Sequence, residues 1–275
     1  MAAVQADVGR RGAIHTQLLS GDIGVRLSGV SIPELTDAQI EEVRKLVSTY
    51  CVAVFPGQHL SPGDHVAFLA RFAPLVSTPG NASHPDWPDI QVVKNRGGAG
   101  KMVSGPFHTD TCFVERPPSF SSLSGVEIPD HGGDTVFVNQ YLAYETLSEV
   151  MKGWLKGLRF KHVVTGTDRP EAVPDPVWHP AVRTHPVTRR KSLYVTMPVR
   201  CVAAEGMTEE EGRSLIAFLY QHSQQLHAMY RHRWQPGDFV MWDNRCSLHA
   251  AVYDQGEQPR TLHRVMCEGE VPFEQ

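Results

Sequence analysis

The stretch Gly105-Pro-Phe-His-Thr-Asp-Thr-Cys-Phe113 sets His108 and Asp110 two positions apart among aromatic and β-branched neighbours. In an extended strand residues i and i+2 point to one face, so the stretch reads as a strand that projects an imidazole and a carboxylate side by side. Those are two of the three donors of a facial metal site, in which two histidines and one carboxylate hold Fe(II) and leave positions open. The pattern is short enough to arise by chance, and a second copy exists, His84-Pro-Asp86. Pro85 cannot donate to a sheet ladder and Pro88 follows closely, so that copy reads as a surface turn. The third donor must come from elsewhere in the chain.

Upstream, Ile23 to Ile32 reads as a strand and turn. Thr36-Asp-Ala-Gln39 is a capping box that opens a helix with Ile40, Val43, Val47 and Tyr50 on one face. A short apolar strand, Cys51 to Phe55, ends at Pro56-Gly57. Ser61-Pro62 supplies an N-cap and a preset first helical residue for a helix burying Val66, Leu69 and Ala73. Proline and glycine crowd residues 74–106, with the β-type run Ile90 to Val93 between them. Further strands are expected over Phe120 to Val126, Thr135 to Asn139, Phe160 to Thr165, Leu193 to Met197, Asp238 to Trp242 and Leu262 to Cys267. One late helix starts at a second capping box, Thr208 to Glu211, and is expected to bury Leu215, Leu219 and Leu226. Many short strands with few helices predict a mainly β fold with flanking helices, a β-barrel or jelly roll, whose mouth would hold a small-molecule site.

With 275 residues, 41% hydrophobic and 20% charged, the chain can bury a sizeable core. No linker or repeat divides it, so a single domain over residues 1–275 is expected. A net charge of -4 offers nothing to nucleic acid. The basic clusters Arg189-Arg190-Lys191 and Arg231-His232-Arg233 read as solvated turns or strand edges, since acidic residues outnumber basic ones by 30 to 26. Met1 to Arg11 lacks the apolar run of a signal peptide, and no window reaches the roughly 20 apolar residues of a membrane span. The five cysteines are scattered, without a Cys-x-x-Cys pair, which fits reduced thiols in a cytoplasmic protein.

In a jelly roll the third donor should lie far along the chain, on a strand at the mouth. His249 is the candidate: it follows Pro236-Gly-Asp-Phe-Val-Met-Trp-Asp-Asn-Arg245, a turn, an apolar strand and a polar tight turn. Most of the other histidines, among 14 in all, have duller readings. His179 and His185 precede prolines in loop-like context, His222 and His227 belong to the late helix, and His162 lies on one strand face. His263 and Arg264 would point to opposite faces of the last strand, so only one can serve the interior.

Phe107-His-Thr-Asp-Thr-Cys-Phe113, Gly132-Gly-Asp-Thr135, Trp242-Asp-Asn-Arg245 with His249, and the pair Arg260 and Arg264 together resemble the taurine dioxygenase family of Fe(II)/2-oxoglutarate oxygenases. That family also contains the aryloxyalkanoate (phenoxy-herbicide) dioxygenases, and the resemblance runs over nearly the whole chain with motif order preserved. It implies a double-stranded β-helix (jelly roll, cupin-like) and iron ligation by His108, Asp110 and His249. Thr135 and Arg260 would hold the 2-oxoglutarate carboxylate, a task suited to a hydroxyl and a forked cation. Trp234 would help wall that pocket. Arg264 would sit near the keto-acid end and anchor a substrate anion, beside Phe107 and Phe113.

The resemblance further implies O2 as co-reactant, release of succinate and CO2, and a small-molecule substrate. Related halogenases lack the carboxylate, so Asp110 favours hydroxylation, or a cleavage or desaturation beginning in the same hydrogen abstraction. The chain departs from the family's sulfonate-binding positions at Val76-Ser-Thr-Pro-Gly-Asn81 and Ser104, whereas its late segment resembles the phenoxyacetate branch most closely. A small organic acid is therefore the expected substrate. An amino-acid-derived or polycyclic metabolite is the alternative, and a non-catalytic cupin-like metal-binding module a third reading. Family members often form dimers or tetramers, so a homo-oligomer is expected.

Overall fold

A computed structural model describes residues 12–78, 82–96, 104–165 and 175–275. The 1–11 segment read above for a signal peptide lies outside the described residues, as do 79–81 of the departing stretch. The chain opens with β1 (His15–Leu18), β2 (Val25–Ser28), α1 (Asp37–Tyr50), β3 (Val52–Phe55) and α2 (Pro62–Ala70). It continues through β4 (Leu75–Val76), β5 (Ser83–His84), β6 (Trp87–Arg96), β7 (Phe120–Glu127), β8 (Thr135–Asn139), α3 (Gln140–Glu145) and α4 (Glu149–Leu155). Then come β9 (Arg159–His162), β10 (Val177–Pro180), β11 (Val182–Thr184), β12 (Lys191–Leu193), β13 (Cys201–Ala204) and α5 (Glu209–Ser223). The last strands are β14 (Met229–His232), β15 (Phe239–Asp243), β16 (Ser247–Ala251) and β17 (Pro259–Cys267).

The large sheet runs β1-β2-β3-β15-β7-β17-β6-β5, with β4 also on β17, and a small sheet runs β14-β8-β16. Strand alternation gives the large sheet two apolar faces. Ala53, Phe55, Phe120, Phe239, Met241 and Val265 face α1 and α2. Val52, Val54, Leu123, Val240, Trp242 and Leu262 face inward and meet Phe137 of the small sheet. Two sheets closing on one shared core make the double-stranded β-helix, as expected. Residues of the same parity as Leu262 on β17, Arg260 and Arg264, therefore face the interior. Register agrees, since Arg264 pairs with Gln91 while His263 pairs with Val92 on the outer face.

The helix starts follow from capping: Thr36 and Thr208 form the expected boxes, and Ser61 accepts from Asp64 N. α1 buries Ile40, Val43 and Val47, but α2 ends at Ala70, so Ala73 lies beyond it. α5 ends at Ser223, leaving Leu226 88% exposed rather than buried, because it sits in the following 3-10 turn. The strand expected over Leu193 to Met197 is instead β12, ending at Leu193, and β9 ends at His162 rather than Thr165. His84-Pro-Asp86 is a turn, with Asp86 N donating to His84 Nδ1. The basic clusters are surface ion pairs, Arg190 with Glu145 and Arg231 with Asp134 and Asp254.

Phe239 is fully buried, with edge contacts to Phe55, Phe68 and His65 at ring separations of 5.9, 5.4 and 5.0 Å. Phe239→Ala should lower unfolding free energy by about 3–5 kcal/mol in urea titration. A loss under about 1 kcal/mol would mean that this face does not carry the helix-to-sheet packing.

Candidate metal centre

The stretch 105–113 is not a regular strand. His108 forms an isolated antiparallel bridge with His249, each backbone N–H donating to the other's carbonyl at 3.0 and 2.8 Å. The chain then turns, and Thr111 takes φ 43°, a left-handed conformation that costs a β-branched residue about 1–3 kcal/mol. Its hydroxyl meets that of Thr78 at 2.8 Å. Thus His108 and Asp110 share a site because a bridge holds one and a turn returns the other, not because a strand alternates.

The potential donor atoms of His108, Asp110 and His249 all lie within 4.8 Å of one another. His249 stands on β16 opposite Phe137 of β8, packed against the Trp242 ring at 4.7 Å. His108 Nδ1 donates to the Pro106 carbonyl, 3.0 Å away, which leaves Nε2 as its lone-pair donor. Burial lowers the affinity of both imidazoles for a second proton, His249 to about 3. Burial alone would raise Asp110, but Arg264, His249 and His108 outweigh it and hold the carboxyl below the usual carboxylate range. All three side chains thus stand in the protonation state that binds a divalent cation.

Arg264 donates from Nη1 to Asp110 Oδ1 at 2.9 Å, and from Nε and Nη2 to Gln91 Oε1 at 2.9 and 2.6 Å. Gln91 is oriented in turn by donating to the Thr78 carbonyl. Sequence reasoning missed Gln91. Its only signal was a polar residue inside the apolar run Ile90 to Val93.

Thr135 and His249 share one inward face of the small sheet, for Thr135 pairs with Ala251, two residues from His249. Thr135 Oγ1 accepts from Arg260 Nη2 at 3.0 Å and from Trp234 Nε1 at 3.1 Å. Both partners can only donate, so the Thr135 hydroxyl proton remains to be given to a ligand. Arg260 is 2% exposed and its Nε has no hydrogen-bond partner. Burial draws its pKa down to about 10. A buried cation with an unused N–H beside a donating hydroxyl suits a carboxylate. Gly133 makes room for it: a Cβ there would stand 3.0 Å from Arg260 Cδ, on backbone at φ 67°.

A cavity of about 490 Å³ opens onto His108, Asp110 and Arg264, with Arg200, Met197 and Tyr253 among its other walls. Phe107 and Phe113, expected beside the substrate, do not border it. Phe107, half-buried, packs onto the cluster of Val138 and Leu248, and Phe113, beyond the turn, is buried near Arg200.

A second cluster, His185, Asp243 and Cys246, also brings potential ligand atoms together. Arg245 donates to both carboxylate oxygens of Asp243 at 2.8 and 2.6 Å, while His185 and Ser48 contact Oδ2 at 2.9 and 3.1 Å. A carboxylate so occupied beside a guanidinium is a buried ion-pair network rather than a metal site. His185, read as a loop residue, is therefore structural, and His179 likewise lies buried in β10. Because the three residues of the first cluster hold no displaceable proton near neutrality, divalent metal uptake at pH 7 should release about zero protons. Calorimetry in buffers of differing ionisation enthalpy measures this, and release of a full proton would contradict the electrostatic reading.

The sequence profile described as "Taurine catabolism dioxygenase TauD, TfdA family" matches residues 15–266. An alpha-ketoglutarate-dependent 2,4-dichlorophenoxyacetate dioxygenase of Cupriavidus pinatubonensis is 34% identical, over 78% of this chain and 83% of that protein. An alpha-ketoglutarate-dependent sulfonate dioxygenase of Saccharomyces cerevisiae is 30% identical, over 96% of this chain and 69% of that one. The crystal structure of a taurine dioxygenase from Burkholderia xenovorans superposes with a TM-score of 0.83 at 32% identity, covering 94% of this chain and 92% of that one. AAD-2 in complex with Mn(II) and N-oxalylglycine gives a TM-score of 0.80 at 29% identity, with 94% and 99% covered. With the fold, the three convergent donors and these likenesses together, the chain belongs to the taurine dioxygenase (TauD, TfdA) family and is a dioxygenase dependent on Fe(II), 2-oxoglutarate and O2.

Proposed function

We propose that His108, Asp110 and His249 hold the Fe(II), that Arg260 and Thr135, braced by Trp234, hold the far carboxylate of 2-oxoglutarate, and that the substrate is a small organic acid of aryloxyalkanoate type. The reaction is its hydroxylation or oxidative cleavage, with release of succinate and CO2. The observation that carries this reading is the pair of unused donors at Arg260 and Thr135 on the same inward surface as His249. A metal held for structure alone would need no such carboxylate clamp.

Bound iron and 2-oxoglutarate supply the oxidising chemistry; the chain supplies charge and position. Asp110 contributes an anion to the metal while Arg264 keeps it ionised. The Arg260 guanidinium and the Thr135 hydroxyl orient the cosubstrate from its remote end. For the substrate, a cavity of about 490 Å³ matches a single aromatic acid. The 2,4-dichlorophenoxyacetate relative supports this class. Arg264 gives three hydrogen bonds to Asp110 and Gln91, so only its remaining N–H groups can face a substrate anion. Lys94 also lines the cavity and is a second cation available to that anion.

The reading extends to one oxygenase domain over residues 1–275, free of nucleic-acid and membrane partners. No helix among the described residues is long and apolar enough to cross a membrane. Five free, buried cysteines suit a cytoplasmic setting. Exposed Val150, Trp154 and Phe218 offer apolar surface for self-association into a homo-oligomer.

Adding Fe(II) and 2-oxoglutarate without air should produce a charge-transfer band, and phenoxyacetates in air should stimulate succinate formation. Absence of the band would sink the ligand and clamp assignments, and absence of stimulation across carboxylates would sink the substrate class. Arg260→Ala should raise the KM for 2-oxoglutarate by about ten- to a hundredfold, the worth of roughly 1.5–3 kcal/mol for a charged hydrogen bond. An unchanged KM would place the carboxylate elsewhere.

A further inference from the structure

We propose that Ser121 and Asn244 form a polarised relay that fixes Asp110 as a one-oxygen ligand, which makes both of them positioning residues for the metal. The inference rests on Asp110 being a ligand and adds how its geometry is set. Ser121 lies on β7 with the parity of Leu123 and faces the interior, and Asn244 opens the turn after β15, where its amide meets the Trp242 indole. Ser121 is fully buried and Asn244 is 2% exposed.

The direction of every proton in the relay is determined by chemistry. Asn244 Oδ1 receives the Trp242 indole N–H at 3.1 Å and the Asp110 backbone N–H at 3.3 Å. Both are obligate donors, so that atom must be the amide oxygen. The amide nitrogen therefore faces Ser121 Oγ, 2.8 Å away, and donates to it. The single hydroxyl proton of Ser121 is then directed to Asp110 Oδ2 at 2.7 Å. The circuit starts at the Asp110 N–H and closes on the Asp110 carboxylate.

The consequence is an inequality between the two carboxylate oxygens. Oδ2 is tied to the sheet by Ser121. Oδ1 stands 3.8 Å from His249 Nε2 and so faces the other donors, although it also receives Arg264. An unrestrained carboxylate can swing to offer both oxygens and occupy a second position that the reaction needs open. The relay opposes that swing without adding charge, and residues outside the ligand shell commonly affect metal affinity in this way.

Two substitutions break the relay differently. Ser121→Ala deletes the hydroxyl. Asn244→Leu keeps the size, adds no charge and removes the donor, so nothing directs the Ser121 proton to Asp110 Oδ2. Ser122→Ala is the control, since that hydroxyl faces the other side of β7 and bonds His65 and the Val265 carbonyl. With Co(II) titrated anaerobically in place of iron, both relay variants should bind about ten- to a hundredfold more weakly and shift the visible ligand-field bands, while the control matches the parent. Asn244→Leu is close in size and uncharged, and keeps the test informative if Ser121→Ala folds poorly. A parent that binds Co(II) with both variants matching its affinity and bands would overturn the relay alone. A parent that takes up no Co(II) would overturn the ligand reading beneath it.

Discussion

A carboxylate cannot stay ionised in a dry interior unless something holds its charge there, and the arrangement around Asp110 is an answer to that constraint. Arg264 from the last strand, Ser121 from β7 and the backbone turn after His108 all converge on one residue. Arg264 is 154 residues from Asp110, so its charge reaches the carboxylate only after β17 has paired beside β7. Desolvation, which works against Asp110 by itself, also strengthens its attraction to Arg264 in the low-dielectric interior.

The division of labour between the two faces of the large sheet follows from this. The face toward α1 and α2 is a phenylalanine-rich layer that supplies stability. The inner face mixes Trp242, Phe137 and Leu262 with the polar residues of the site, so its apolar members also act as walls. Trp242 does both, packing against His249 while its N–H fixes the Asn244 amide. The buried group around Asp243 holds the turn that precedes His249, with Arg245 and His185 satisfying the carboxylate. The two buried carboxylates stand in different company: Asp243 takes a guanidinium donor on each oxygen, whereas Asp110 has Arg264 on one oxygen only and two histidines beside it.

Much of the fold was legible because period and punctuation agree. β8 occupies the expected Thr135–Asn139, and both capping boxes begin their helices. The opposite orientations of His263 and Arg264 follow from strand alternation alone. Failures occur where tertiary contact overrides local pattern. The composition of 105–113 suits a strand, yet a Thr111 backbone in the left-handed region can be read only from coordinates. The short helices α3 and α4 carry too few turns to give a period, although Asn139 and Ser148 cap them. His108, Asp110, His249, Thr135, Arg260 and Trp234 were singled out from motifs; in the structure the first three converge, and Arg260 and Trp234 both donate to Thr135. Ser121 carried no signal, being one serine of a pair whose relevance depends on which face it takes.

Arg260 and Arg264 reside on a single nine-residue strand, β17, and this has a bearing on quality control during folding. A slip of one residue in its pairing would turn both guanidiniums to the outer surface together. The bulge opposite Thr261 and Leu262 anchors the alignment between the two arginines and penalises such a slip. A mispaired molecule would therefore lose the Asp110 partner and the proposed cosubstrate clamp in one event. The positions of the two arginines are thus set together, by one register.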